Sequence, residues 1–345
     1  LQRLAQATSC ADKEQVLFEA FIAGEADFFF GARLALDPLV MFGVSKVAEI
    51  VEDDGALGDY SFGEFVALAH GLWRGRLTGA EARQAINDAA ARCHAATWNL
   101  FYRRILLKAD IGVQAPAFNR VLDKLAAVYQ KAKDYRVPVF GCQLPHDGDA
   151  RAYRHKLRGR KRIEVSPGGF RVLCIIDVEA HAVSLFTPKG RRLRNFPELE
   201  TSFKELMEQL PGSMVLDGEL VARTPVERMV RCKNPHPDSA SVKFALFDIL
   251  PLADFRTGFS AIPQCERHTM LVTMQECGLW QATNGRIFVV PQIEVDLSSP
   301  EGQAALVDFG QLARTDGRHT LMVKDPDAPY EMKRTTAWLQ VRVPS

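Results

Sequence analysis

Residues 1 to about 132 run in long Ala-, Leu-, Arg- and Glu-rich stretches with few β-branched runs, a pattern that predicts helices. Helices are expected over Asp12–Ile22, Ser61–Trp73 and Thr78–Cys93, the last opened by Thr78-Gly79-Ala80-Glu81, which fits a capping box. Trp98 to Lys108 is aromatic and basic together; helical spacing turns Leu100, Ile105 and Leu106 toward a core and leaves Arg103, Arg104 and Lys108 to face phosphates. The pattern changes near Tyr135-Arg136-Val137-Pro138-Val139, an extended lead-in after which strands dominate. A hairpin is expected from Arg171–Val178 and Ala182–Phe186 across Glu179–His181. Further strands fall at Ser213–Ala222, Val242–Leu250, Arg286–Val290 and Leu321–Lys324, with helices at Glu198–Gln209, Cys265–Glu276 and Pro300–Arg314. The expectation is a helical domain over residues 1–132 followed by a strand-rich domain over 133–345.

At 345 residues and 47% hydrophobic content the chain can bury substantial cores. No apolar run approaches the roughly 18 residues needed to cross a bilayer, and the N-terminus lacks the regions of a secretory signal, so no membrane partner and a cytoplasmic location are expected. The seven cysteines are scattered, odd in number and free of any CxxC pair, which fits reduced thiols. A net charge of +1 conceals local clustering. Arg151, Arg154, Lys156, Arg158, Arg160, Lys161 and Arg162 fall together, and Lys189, Arg191, Arg192 and Arg194 form a second group. Such clusters suit phosphate backbones, or else form a solvated loop or hairpin.

Several residues carry candidate chemistry. Asp217 and Glu219 alternate on a strand and so share a face, where they could hold a hydrated Mg²⁺ or pair with neighbouring arginines. Pro167-Gly168-Gly169 reads as a tight turn between strands.

From about Trp98 to its end the chain resembles the ATP-dependent DNA ligases of tailed phages and their bacterial relatives. The resemblance rests on an ordered series: Arg103 to Lys108, Phe170-Arg171-Val172-Leu173, Leu216-Asp217-Gly218-Glu219-Leu220-Val221, Phe244 to Leu252, and Met322 to Glu331 followed by Lys333-Arg334 and Trp338-Leu339. It implies a multidomain α and α+β fold: an N-terminal helical DNA-binding-like domain, then a ligase-type nucleotidyltransferase domain built on antiparallel sheets. An OB-fold domain would normally follow; the chain ends at Ser345, directly after the last motif, so that domain is expected to be absent.

The resemblance also exposes departures. Where the family reads Lys-x-Asp-Gly-x-Arg, with the lysine as nucleophile, this chain reads Ser166-Pro167-Gly168-Gly169-Phe170-Arg171. Thr187-Pro188-Lys189-Gly190 stands for Ser-Arg-x-Gly, so Pro188 replaces the arginine. His319-Thr320 replaces Glu-Gly before the strand ending in Lys324, and Gln340 and Arg342 stand where two phosphate-binding lysines are expected. Arg171, Asp217, Glu219, Phe247 and Lys324 are kept; Phe247 would stack near the adenine, or is plain sheet core.

Three functions are compatible with this pattern. The first is an inactive ligase homologue of a bacterium or phage-infected cell. It binds duplex or nicked DNA through Arg103, Arg104, Lys108, Arg154, Lys156, Arg158, Arg160 and Lys161, or serves as a scaffold, with no cofactor expected. The second is a ligase with an altered nucleophile, using ATP and Mg²⁺ or acting only on pre-adenylated ends. The third is a structural protein that docks a protein partner and touches no DNA.

Overall fold

Apolar periodicity and side-chain caps set the first part of the chain as helices: α1 (Gln2–Gln6), α2 (Cys10–Ile22), α3 (Ala26–Leu36), α4 (Phe62–Trp73), α5 (Gly79–Ala91), α6 (Ala95–Thr97), a π-helical turn (Trp98–Tyr102), α7 (Arg103–Leu106) and α8 (Ala115–Ala126). The computed structural model describes residues 2–51, 58–138, 140–232, 234–315 and 317–343; Val139 and Ser345 lie outside them. Reciprocal capping boxes start α2 at Ser9 and Asp12 and α4 at Ser61 and Glu64, each contributing about 1 kcal/mol. At Thr78 a helix does begin, but the threonine side chain makes no cap bond, so the expected capping box is not formed. Helix α8 turns Phe118, Val121, Leu122 and Leu125 inward, the spacing of one helical face. With Phe29, Phe65 and Trp98 they form a buried core in which Phe65 stacks on Tyr102 at 4.2 Å.

The chain divides into two compact units, Leu1–Val139 and Phe140–Ser345, rather than after residue 132. Asn119 on α8 explains the difference. Its amide donates to the Val137 carbonyl at 2.8 Å and accepts from the Val137 N–H at 2.9 Å, which anchors the lead-in segment to the helical unit. Ala132, Tyr135 and Val137 are buried in that same core.

In the second unit two sheets are built. One has the order β1-β13-β11-β2-β10, from Leu144–Asp147, Arg334–Arg342, Thr320–Lys324, Arg160–Val165 and Gln292–Asp296. The other has the order β5-β4-β3-β6-β7-β9, from Arg192–Leu193, Ala182–Phe186, Phe170–Asp177, Met214–Val221, Lys243–Pro251 and Ile287–Val289. A short ladder joins β8 (Phe259–Ser260) to β12 (Tyr330–Glu331). The helices are α9 (Pro197–Met207), α10 (Val226–Arg231), α11 (Leu252–Thr257), α12 (Gln264–Glu276) and α13 (Pro300–Thr315). The sheets are not wholly antiparallel: β1 pairs β13, and β7 pairs β9, in parallel. The β7–β9 pairing is possible because α11 and α12 lie in the connection, long enough to return the chain to the same end.

Alternation assigns the faces. Val172, Cys174, Ile176, Leu216 and Phe244 of the second sheet pack with Leu199 and Phe203 of α9. In the first sheet Ile163, Leu321, Val323, Leu339 and Val341 pack with Ala313 of α13. The opposite faces of both sheets meet in a polar interior. No helix among the described residues is long and apolar enough to cross a membrane.

Replacing Asn119 by Ala is expected to orphan two buried backbone groups of Val137 and lower stability by about 2–4 kcal/mol. Urea unfolding gives the magnitude, and hydrogen exchange should show residues 130–138 opening first; protection there equal to wild type would contradict the anchoring role.

Candidate functional site

The turn from β2 to β3 carries the chain from one sheet to the other, and Ser166 opens it. The Ser166 N–H donates to the Thr320 carbonyl at 3.0 Å, extending the β2–β11 ladder by one residue. Arg318 donates to the Pro167 carbonyl, and Gly168 adopts φ +62°. Gly169 donates to Glu219 Oε2 at 2.7 Å; a β-carbon at 169 would lie 2.3 Å from the Leu220 carbonyl oxygen, so only glycine allows this approach to β6. Burial pushes the Glu219 carboxyl above its ordinary range, against the Gly169 N–H that it accepts.

Two residues further, Arg171 forms a two-pronged bond with Asp217, Nε–Oδ1 at 3.0 Å and Nη2–Oδ2 at 2.6 Å. Tyr330 donates its hydroxyl to Asp217 Oδ2 at 2.6 Å. Asp217 is fully buried, so its lone pairs are spent on these donors, and of the two readings of the Asp217–Glu219 pair the ion pair is the one formed at Asp217. Among the described residues no group of three or more His, Cys, Asp or Glu side chains is arranged to hold a metal ion.

Beside this pair, β6 and β7 lose register: Asp217 faces Asp248 and Gly218 faces Leu246, which makes Phe247 the extra residue of a β-bulge. Its carbonyl accepts from Lys324 Nζ at 3.2 Å. The same ammonium, 0% exposed, meets Glu164 Oε1 at 2.8 Å. Gln292 donates to the other Glu164 oxygen at 2.6 Å, and Gln264 donates to Gln292. A third buried pair joins Arg267 of α12 to Asp248 at 2.7 and 3.0 Å. Lys324 Nζ lies 4.8 Å from the centre of the Phe247 ring and 4.4 Å from Trp338; the Arg171 guanidinium lies 5.4 and 5.3 Å from the same rings. Phe247 is thus packed against two cations and Trp338. Burial, with Arg162 and Lys324 nearby, pushes the His268 imidazole down to about 4, so this histidine stays neutral.

The remaining expected positions lie outside this interior or at its edge. His319, Gln340 and Arg342 are exposed; Gln340 and Arg342 line a hollow of about 310 Å³ with Asp147, Thr320 and Arg334. Pro188 sits in the turn after β4, half-buried.

The basic residues separate into two kinds. Arg154, Lys156 and Arg158 are exposed and have no ion pair among the described residues. Arg160 and Lys161 belong to strand β2 rather than a free loop; Arg160 pairs with Asp327 at 2.8 Å and Lys161 with Asp325 at 3.3 Å. In the helical unit Arg103 donates to the Val47 carbonyl and pairs with Glu49 at 2.8 Å, while Arg104 donates to the Asp110 carbonyl. Lys108 Nζ donates to the carbonyls of Leu34 and Asp37, at 2.8 and 2.6 Å, and so caps the end of α3. Arg103 and Lys108, expected to face phosphates, thus each donate to backbone carbonyls, and Arg103 also pairs with the exposed Glu49. Glu164, Asp248, Arg267 and Gln292 are not among the residues that the sequence singles out. For Glu164 a signal existed, since it interrupts an apolar strand segment between Ile163 and Val165.

Lys324→Met should leave Glu164 as an uncompensated buried charge and cost about 3–5 kcal/mol, whereas adding Glu164→Leu should recover part of that loss. Denaturant unfolding of the two variants measures this; a Lys324→Met protein as stable as wild type would remove the pair from the fold's support. Burial pushes Lys108 down to about 8 from 10.5. Between those values the unfolded lysine keeps its proton and the folded one releases it, so this group makes stability rise with pH by up to roughly 1.4 kcal/mol per unit. In Lys108→Met that contribution should vanish from the alkaline limb of a stability profile.

No protein-family model matches the chain, and no curated protein does. Among solved structures, "Pmar-Lig_PreS3" is 32% identical over 99% of this chain and 76% of its own, with a TM-score of 0.58. "Pmar-Lig_Pre." is also 32% identical over the same shares, at 0.57. The ATP-dependent DNA ligase from bacteriophage T7, in complex with ATP, is 17% identical over 59% of this chain and 68% of its own, at 0.47. With 32% identity to a ligase across nearly its whole length, the chain belongs to the ATP-dependent DNA ligase family.

Proposed function

We propose that this protein is a ligase-family member that no longer transfers adenylate and instead holds duplex or nicked DNA by its phosphate backbone, as a scaffold in DNA processing in a bacterium or phage-infected cell. The observation that carries the reading is Ser166. Its register is set by the ladder to Thr320 on one side and by the Gly169–Glu219 and Arg171–Asp217 bonds on the other. A hydroxyl there cannot form the phosphoramide bond that a lysine amine would form with AMP. Lys324 is no substitute, being fully buried and paired with Glu164. Lys156 lies in an exposed 3-10 turn ahead of β2.

The residues present do not fit ATP and Mg²⁺. Asp217 is spent on Arg171 and Tyr330, Gln340 carries no charge, and His319 offers an exposed imidazole where an acidic ligand is expected. The DNA part of the reading is supported by Arg154, Lys156 and Arg158, cations that no internal acid neutralises. They offer charge without base-edge chemistry, which suits backbone contact with slight sequence preference.

Incubation with labelled ATP and Mg²⁺ followed by denaturing separation should give no protein–AMP adduct; an adduct would overturn the loss of adenylyl transfer. Affinity for a nicked duplex should fall with salt, and changing Arg154, Lys156 and Arg158 together to Ala should reduce the log–log slope by roughly 2–3. A slope unchanged by the triple variant, or no binding at all, would discard the DNA role and leave the protein-docking alternative.

A further inference from the structure

We infer that the helical unit carries a separate binding site, an open pocket for a flat, apolar organic cation lined by residues of α1, α2, α3, α4, α6 and the π-helical turn. The cavity has a volume of about 620 Å³, in the range that takes a ligand of drug size. Its walls include Leu4, Val16, Leu17, Phe28, Phe62 and Phe101. Three rings of the wall are stacked near-parallel: Phe101 lies 6.1 Å from Phe28 at 22° and 6.1 Å from Phe62 at 11°. Such a wall favours a flat apolar partner.

Two features of the backbone serve this wall. A β-carbon at Gly31 would lie 2.4 Å from Phe101 Cζ, so glycine at 31 lets the ring settle against α3. The turn Trp98–Tyr102, which supplies Leu100, Phe101 and Tyr102 to the cavity, is π-helical. An i→i+5 turn is a rare interruption of an α-helix and occurs frequently at functional sites. Here it is part of the cavity's lining.

Charge at the lining selects the sign of the occupant. Glu19, Glu25 and Asp27 line it with Arg3 as their counter-charge, and Arg3 is ion-paired with Glu19. Neither Glu25 nor Asp27 has an ion-pair partner among the described residues. Three acids against one base leave the lining negative, which repels phosphates and attracts a cation that the rings can also hold through their faces. Nucleic acid is therefore the wrong chemistry for this site, and the inference does not depend on the DNA-binding reading above.

Thioflavin T, a flat aromatic cation, and 8-anilinonaphthalene-1-sulfonate, an apolar anion, are suitable probes for titration of the full chain by fluorescence and calorimetry. The expected result is saturable one-to-one binding of the cation, at least about tenfold tighter than the anion. Ala20→Trp fills the cavity and should abolish binding while circular dichroism and melting stay as in wild type. Should that variant fail to fold, Ala96→Trp at the exposed edge takes its place. Glu25→Gln with Asp27→Asn should erase most of the preference for the cation, and nicked duplex DNA should not displace it. Non-saturable binding, equal affinity for the anion, displacement by DNA, or wild-type binding by a folded cavity-filling variant would each overturn the inference.

Discussion

The ion pair between Lys324 and Glu164 is the constraint around which the second unit is arranged. Both groups are buried, and taking two charges out of water costs several kcal/mol each unless every donor and acceptor is met. The structure meets them from both sheets. Glu164 and Gln292 come from the sheet that also holds Lys324, while the carbonyl that completes the ammonium's shell belongs to Phe247 in the other sheet. That carbonyl is available because the bulge between β6 and β7 makes Phe247 an extra residue of the ladder. The bulge and the lysine are therefore two halves of one arrangement. Arg171–Asp217 and Arg267–Asp248 repeat the logic, with Tyr330 from β12 closing Asp217. In these three pairs Arg171, Arg267 and Lys324 are each matched by a buried carboxylate, Asp217, Asp248 and Glu164.

This balance changes what the kept family residues mean. The sequence resemblance would put Arg171, Asp217 and Lys324 at positions that ligase chemistry uses, which invites reading them as evidence for that chemistry. Each, however, is the partner of another buried charge, and losing one would strand the other in a low-dielectric interior. Such residues resist change for the sake of the fold alone. On the proposed reading the altered positions are Ser166, Gly168, His319 and Gln340; the side chains of Ser166, His319 and Gln340 enter no buried ion pair, and Gly168 has no side chain to commit. On the proposed reading, the division between kept and altered positions follows the electrostatics of folding, and Asp217 then lends little support to sealing pre-adenylated ends.

Local order was legible in the sequence, and long-range pairing was not. The helix ending at Ile22 and the strand Ala182–Phe186 follow from periodicity and β-branched content that act within a few residues. Strand β2 was hidden because its exposed positions are basic: Arg160, Lys161 and Arg162 read as a loop cluster, although Ile163 and Val165 alternate behind them. What neutralises them, Asp325, Asp327 and Glu294, lies more than a hundred residues away in the chain. Asn119 was equally silent, since a polar residue on an amphipathic helix gives no sign that it will bond the backbone of Val137. In each case the missing information was the identity of the partner, which only the folded chain supplies.

The same pairing decides where positive charge remains available to solvent. With a net charge of +1 the protein as a whole attracts nothing strongly, and at physiological salt the Debye length of about 8 Å confines attraction to local clusters. Arg103 and Lys108 are committed to backbone carbonyls, and Arg160 to Arg162 to carboxylates, so these parts of the basic sequence are internally compensated. What stays uncompensated is the stretch Arg154, Lys156 and Arg158 together with the exposed Lys189, Arg191 and Arg194. In the helical unit Arg103 and Lys108 donate to backbone carbonyls, and acidic residues line a pocket of about 620 Å³.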